Sequence, residues 1–155
     1  MRLHGIRDCR LDGWGAFLDV DPDGHERELL RPVRYRWIDE HGMQEHEAPQ
    51  GYRFDGASKW FAWRLMGYPW GASARASCLH DRCFTERFRL SNGERVTFEY
   101  AADLYLCFLE ATGVSWAQRN IEWAAVLSPK AKEVWDAHNA KFAALDAMPG
   151  ILAGV

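Results

Sequence analysis

Leu29-Leu30-Arg31-Pro32-Val33-Arg34-Tyr35-Arg36-Trp37-Ile38 is the stretch on which the fold turns. Val33, Tyr35 and Trp37 alternate with Arg34 and Arg36. A period of two sends successive side chains to opposite faces, so the run predicts a strand with one buried and one solvated side. Upstream, Trp14 to Val20 is a short apolar run, and Asp21-Pro22-Asp23-Gly24 between the two is a strong turn signal. The two runs are expected to form an antiparallel hairpin. Downstream, His41-Gly42 predicts a second turn, and Gln44 to Ala48 a short strand that Pro49 stops.

From Asp55 the period lengthens to that of a helix. Ala57 to Met66 predicts a short helix broken by Gly67-Tyr68-Pro69-Trp70-Gly71, and a longer one follows from about Ala72 to Phe88. After a loop at Ser91-Asn92-Gly93, a third helix runs from about Thr97 to Thr112. Gly113 ends it, since glycine accepts the left-handed conformation of a helix terminus. Ser115 caps a fourth helix, and Ser128-Pro129 opens a fifth, where a missing N–H costs nothing. Ala131, Val134, Trp135, His138, Phe142 and Leu145 share one stripe of that last helix, which places His138 in a core or interface. The fold class expected is α+β: an N-terminal antiparallel hairpin or small sheet packed on four to five C-terminal helices. Residues 1–155 are read as one domain, with 1–54 mainly strand and turn and 55–155 mainly helical.

The length of 155 residues suits one hydrophobic core. Hydrophobic residues at 48% and charged residues at 26% argue against disorder. A net charge of -3 supplies no basic field for a polyanion, so nucleic acid is not an expected partner. The 8 Trp suggest an interaction surface. The apolar run Ala143 to Val155 is interrupted by Asp146 and Pro149 and is too short for a membrane span. MRLHGIRDCR lacks the apolar segment of a signal peptide, which predicts synthesis in a cytoplasm and reduced thiols at Cys9, Cys78, Cys83 and Cys107. The cysteines on predicted helices (Cys78, Cys83, Cys107) are expected as small core residues. The closely spaced Cys and His pairs of a structural zinc site are missing from the sequence. Asp19-Val20-Asp21-Pro22-Asp23-Gly24 begins like a calcium loop, but Leu30 stands where the bidentate Glu belongs, and a hairpin turn explains it better.

The candidate chemistry lies in Gly51-Tyr52-Arg53-Phe54-Asp55-Gly56-Ala57-Ser58, then Cys78-Leu79-His80-Asp81-Arg82-Cys83-Phe84, then Ala101-Ala102-Asp103. Neighbouring His and Asp on a helix point about 100° apart, so each needs a partner elsewhere. Asp103, on the following helix, is the candidate for orienting His80 as a general base toward water. Asp81 and Asp55 could share a divalent cation or a hydrogen-bond network, and Asp55 and Ser58 are candidate binding residues. The same types also serve structure alone, as a buried His held by an Asp or an Asp capping a loop.

GYRFDGASKW, PWG, ASCLHDRCF and AADLYLCFLEATGV together resemble a family of small phage and prophage proteins known as a domain of unknown function, whose pattern reads "GF-TDGAS-P", "HD-x-x-Y", "AD". The resemblance covers roughly Pro49 to Leu127. Lys59-Trp60 replace a small apolar residue and proline, and Phe84 replaces a tyrosine, removing a hydroxyl donor. The resemblance implies a virion-associated protein of the tail or tail tip, made in the bacterial host cytoplasm, whose partners are other tail proteins. The His80-Asp81 helix with Asp103 on the next is also similar to the catalytic helix pair of secreted calcium-dependent phospholipases. That likeness implies His80 as the base, Asp103 as its orienting residue, Asp81 as a ligand of Ca2+, and the host cell envelope as target. The alternative function is therefore a cell-envelope hydrolase, acting on lipid ester or peptidoglycan during infection or release. The glycine-rich calcium loop and the disulfide framework of those enzymes have no counterpart in the sequence.

Overall fold

Val33, Tyr35 and Trp37 are completely buried, while Arg34 lies in solvent and Arg36 at its margin, so the alternation read in the sequence is the alternation of a half-buried strand. The structure, a computed structural model, describes residues 4–15, 17–19, 26–54 and 72–148. The strands are β1 (Arg7–Asp12), β2 (Phe17–Asp19), β3 (Arg27–Leu29), β4 (Val33–Asp39), β5 (Gly42–Ala48) and β6 (Arg53–Phe54). The helices are α1 (Ser73–Glu86), α2 (Phe98–Ala111), α3 (Trp116–Val126), α4 (Pro129–Ala137) and α5 (Asn139–Asp146). The class is α+β, as expected. The predicted turn at Asp21 to Gly24, the helix at Ala57 to Met66 and its breaker lie outside the described residues.

The strands form two antiparallel three-stranded sheets, ordered β1-β4-β5 and β2-β3-β6. This corrects the hairpin expectation. Phe17 does pair with Leu29 across β2 and β3, but the run Leu29 to Ile38 is not one strand. It breaks at Pro32, which cannot donate to a ladder, and the chain changes sheets there. β4 pairs instead with β5 around the His41-Gly42 turn, from Val33 opposite Ala48 to Asp39 opposite Gly42. On the outer face, Arg34 and Arg36 stand directly across from Glu47 and Glu45 and form ion pairs with them. β1 covers the other edge of β4. Asp8, at φ 54, sits in a bulge where the register slips between Arg7 and Arg10. Gly13 follows β1 because a Cβ there would stand 2.5 Å from the Pro32 carbonyl oxygen.

α1 and α2 pack beneath the first sheet. Phe108 of α2 meets Tyr35 and Trp37 edge to face, with ring centroids 5.3 and 6.2 Å away, the arrangement aromatic quadrupoles favour. Thr97, Ser115 and Ser128 stand at the helix starts read in the sequence, and their hydroxyls accept from the N–H groups of Tyr100, Gln118 and Ala131. The predicted last helix is two helices. A continuous helix would bond the Trp135 carbonyl to the Asn139 N–H, but the Arg87 guanidinium takes that carbonyl, and the chain bends at His138. Trp135 and Phe142 are buried, whereas His138 is exposed, which removes the core half of the core-or-interface position expected of it.

Cys9 and Cys107 form a disulfide, with Cα atoms 6.2 Å apart, which overturns the expectation of four reduced thiols. Cys78 and Cys83 are free and buried, as small core residues. No described helix is long and apolar enough to cross a membrane.

Candidate functional site

Ser73, Ser77, His80, Asp81 and Phe84 recur on α1 at the three- and four-residue spacing that brings side chains onto one face. The His80 ring lies 5.1 Å from the Phe84 ring and 4.9 Å from the Tyr105 ring of α2. Burial among these groups lowers its pKa to about 4, so the imidazole is neutral at neutral pH. Among the described residues no carboxylate hydrogen-bonds it.

Asp103 is buried, and its Oδ2 accepts from His4 Nδ1 at 3.0 Å. The pairing of His80 with Asp103 expected from the sequence is not among the hydrogen bonds of the described residues. Residues 103 and 105 lie about 200° apart around a helix, so with Tyr105 turned to His80, Asp103 faces the N-terminal segment instead. His4 was invisible as a partner in the sequence, because nothing local marks a residue just before a weak edge strand.

Asp81 stands beside His80 on α1, and its charge helps raise the pKa of Tyr52, Cys78 and Cys83, after burial in each case. Asp55 and Ser58 lie outside the described residues. Among the described residues no group of three His, Cys, Asp or Glu is placed to hold a metal ion. A calcium ion needs six to eight oxygen ligands, and of the expected pair Asp81 and Asp55 only Asp81 is among the described residues.

A carboxylate that no sequence motif marks lies where α1, α2 and α3 meet. Glu122, the buried residue of α3, accepts from Ser73 Oγ at 2.7 Å, Tyr105 Oη at 2.6 Å and Gln118 Nε2 at 2.9 Å. Burial and then Glu122 raise the Tyr105 pKa, which keeps the phenol a donor. The pairs Ser73/Ser77 and Gln118/Glu122, each four apart on a helix, were the available signal. A second network ties sheet to helix. Trp37 Nε1 donates to Tyr100 Oη, which donates to Asp39 Oδ2, both at 2.6 Å, while Gln44 links Asp39 to Ser91. Burial pushes the Asp39 carboxyl up, but the bonds from Tyr100, Gln44 and the His41 N–H outweigh it and leave the pKa lowered. In a third cluster, Arg82 Nε donates to His46 Nε2 at 3.1 Å, and the His46 ring stacks on Phe88. Burial and then Arg82 lower the His46 pKa to about 4.

The fold and these motifs define an α+β chain with a His-Asp helix opposite an Ala-Asp helix. Residues 27–126 match the family described as a protein of unknown function (DUF1353), and the chain belongs to it. No curated protein and no solved structure matches the chain.

Proposed function

We propose that the chain is a virion-associated structural protein of a bacteriophage, part of the tail or tail tip, in which the His and Asp residues of the motifs brace the fold. One observation carries this reading: Asp103 is engaged by His4, while His80 packs between two aromatic rings with its basicity depressed. A general base near neutral pH works best with a pKa near 7, and an imidazole at about 4 is a weak acceptor of a proton from water. The Glu122 and Asp39 clusters point the same way, because each carboxylate is met by donors from neighbouring elements. The phage context comes from the motif resemblance, and the partners it names are other tail proteins and the host envelope at which a tail ends.

The test is to purify particles of the phage that encodes the chain and quantify it in isolated tails, with His80→Ala alongside. The reading expects the chain in tails at a fixed copy number, and a His80→Ala protein that is less stable but still assembles. A chain found in the soluble lysate alone would overturn it. So would a well-folded His80→Ala protein that loses an ester- or peptidoglycan-hydrolysing activity of the wild type, in favour of a hydrolase.

A further inference from the structure

The N-terminal segment is fastened to one face of α2 twice. His4 donates to Asp103, and Cys9 is bonded to Cys107, one helical turn further along. Between the two ties Ile6 is buried. The strand that follows contributes little else: β1 is an edge strand paired with β4 alone, and none of its residues is fully buried. The bulge at Asp8, with its positive φ, weakens the pairing just where Cys9 turns toward the helix.

We propose that the Cys9–Cys107 bridge is a redox lock on this strand: oxidised, β1 opens only when the whole chain unfolds; reduced, β1 leaves β4 while the helices stay folded. Cys9 is half-buried and Cys107 buried, so the sulfur open to attack is that of Cys9. A thiolate of a dithiol reductant attacks Cys9 Sγ, the S–S bond breaks, and Cys107 Sγ leaves as a thiolate that takes a proton. The second thiol of the reductant then closes on its own mixed disulfide and releases Cys9 as a thiol. Two electrons pass to the cysteines and the dithiol becomes a cyclic disulfide. Cys78 and Cys83 do not divert the exchange, since both are buried and burial pushes their thiols up, Cys78 to about 12.

Opening of β1 would uncover Ile6 and the partly buried Cys9 and Leu11, a small share of the core, and would free the β4 edge. Such a segment fits an independent opening unit.

The experiment is hydrogen exchange of the full chain at rising urea concentrations below its unfolding transition, with and without excess dithiothreitol. In the oxidised chain, residues 7–12 are expected to exchange at the rate and denaturant dependence of α2. In the reduced chain they are expected to exchange at least about tenfold faster than α2, through an opening nearly independent of urea. Three results would overturn the proposal. Residues 7–12 could still exchange together with α2 after reduction. They could already exchange by a urea-independent opening before it. Or α2 could lose all protection on reduction, in which case the bridge holds the whole fold and not one strand. Cys9→Ser, examined in the same way without reductant, separates bridge loss from any effect of the reductant and is expected to match the reduced chain.

Discussion

Asp103 receives a hydrogen bond from His4, 99 residues earlier in the chain, and none from His80 on the neighbouring helix. The two histidines therefore do different work. One helps hold the N-terminus to α2, and the other fills a space between Phe84 and Tyr105. A double-mutant cycle separates them. His4→Ala and Asp103→Ala are each expected to lower stability by about 1–3 kcal/mol and to be coupled by at least about 1 kcal/mol. His80→Ala and Asp103→Ala are expected to add within about 0.5 kcal/mol. Urea unfolding of the variants measures both cycles.

The pH dependence follows from two depressed histidines. His46 and His80 titrate at about 4 in the folded chain, against an ordinary 6.5. Between these values the unfolded chain binds more protons than the folded one, so stability is complete above pH 6.5 and is lost as pH falls toward and through 4. The loss is expected to be on the order of 2 kcal/mol for each ring, below the full linkage value because both are only partly shielded from water. Asp39 and Asp146, held below 3.8, act beneath this window. Urea midpoints across the window should fall with acidity, and His46→Gln with His80→Gln should flatten the fall.

Glu122 gathers three donors, so its removal strands them. Glu122→Ala is expected to destabilise by about 3 kcal/mol, since Ser73, Tyr105 and Gln118 each lose their shortest acceptor in the interior. Tyr105→Phe removes one donor and leaves the carboxylate two others, and should cost about 1–2 kcal/mol. Thermal unfolding of the two variants gives the ranking.

Arg87 fastens the C-terminal helices. Its guanidinium lies 4.0 Å from the Trp135 ring and 4.9 Å from the Phe142 ring, and donates to Asn139 and to the Trp135 carbonyl. Its backbone φ of 39 suits glycine, so Arg87→Gly removes the side chain without adding backbone strain. The variant is expected to release α4 and α5 while α1 and α2 remain folded, seen as a red shift of tryptophan emission and rapid proteolysis within 128–148. Arg87→Lys should restore little, since an ammonium lacks the planar fork that meets a carbonyl, an amide and two rings together.

What the sequence made legible was local. β4 announced itself through Val33, Tyr35 and Trp37, and α2, α3 and α4 through Thr97, Ser115, and Ser128 with Pro129, because alternation and caps are written within a few residues. β1 carries Arg7, Asp8, Arg10 and Asp12 around Cys9 and Leu11, too little alternation to mark a strand, so both of its long-range ties went unseen. The break at His138 was hidden for the same reason, since it depends on an arginine some 50 residues earlier in the chain. The candidate site was legible as residue types on two helices and not as a pairing. Which face of α2 meets α1 is decided by packing of Tyr105 against His80, and the Ala-Asp motif does not contain that information.

That His80 is a packed imidazole with no carboxylate partner among the described residues is tested most directly by its own titration, followed through the ring resonances by NMR in the wild type and in Asp103→Asn. A pKa near 4 is expected in both proteins. A His80 pKa above 6.5 that falls by about one unit or more in Asp103→Asn would show a carboxylate-paired base and contradict it.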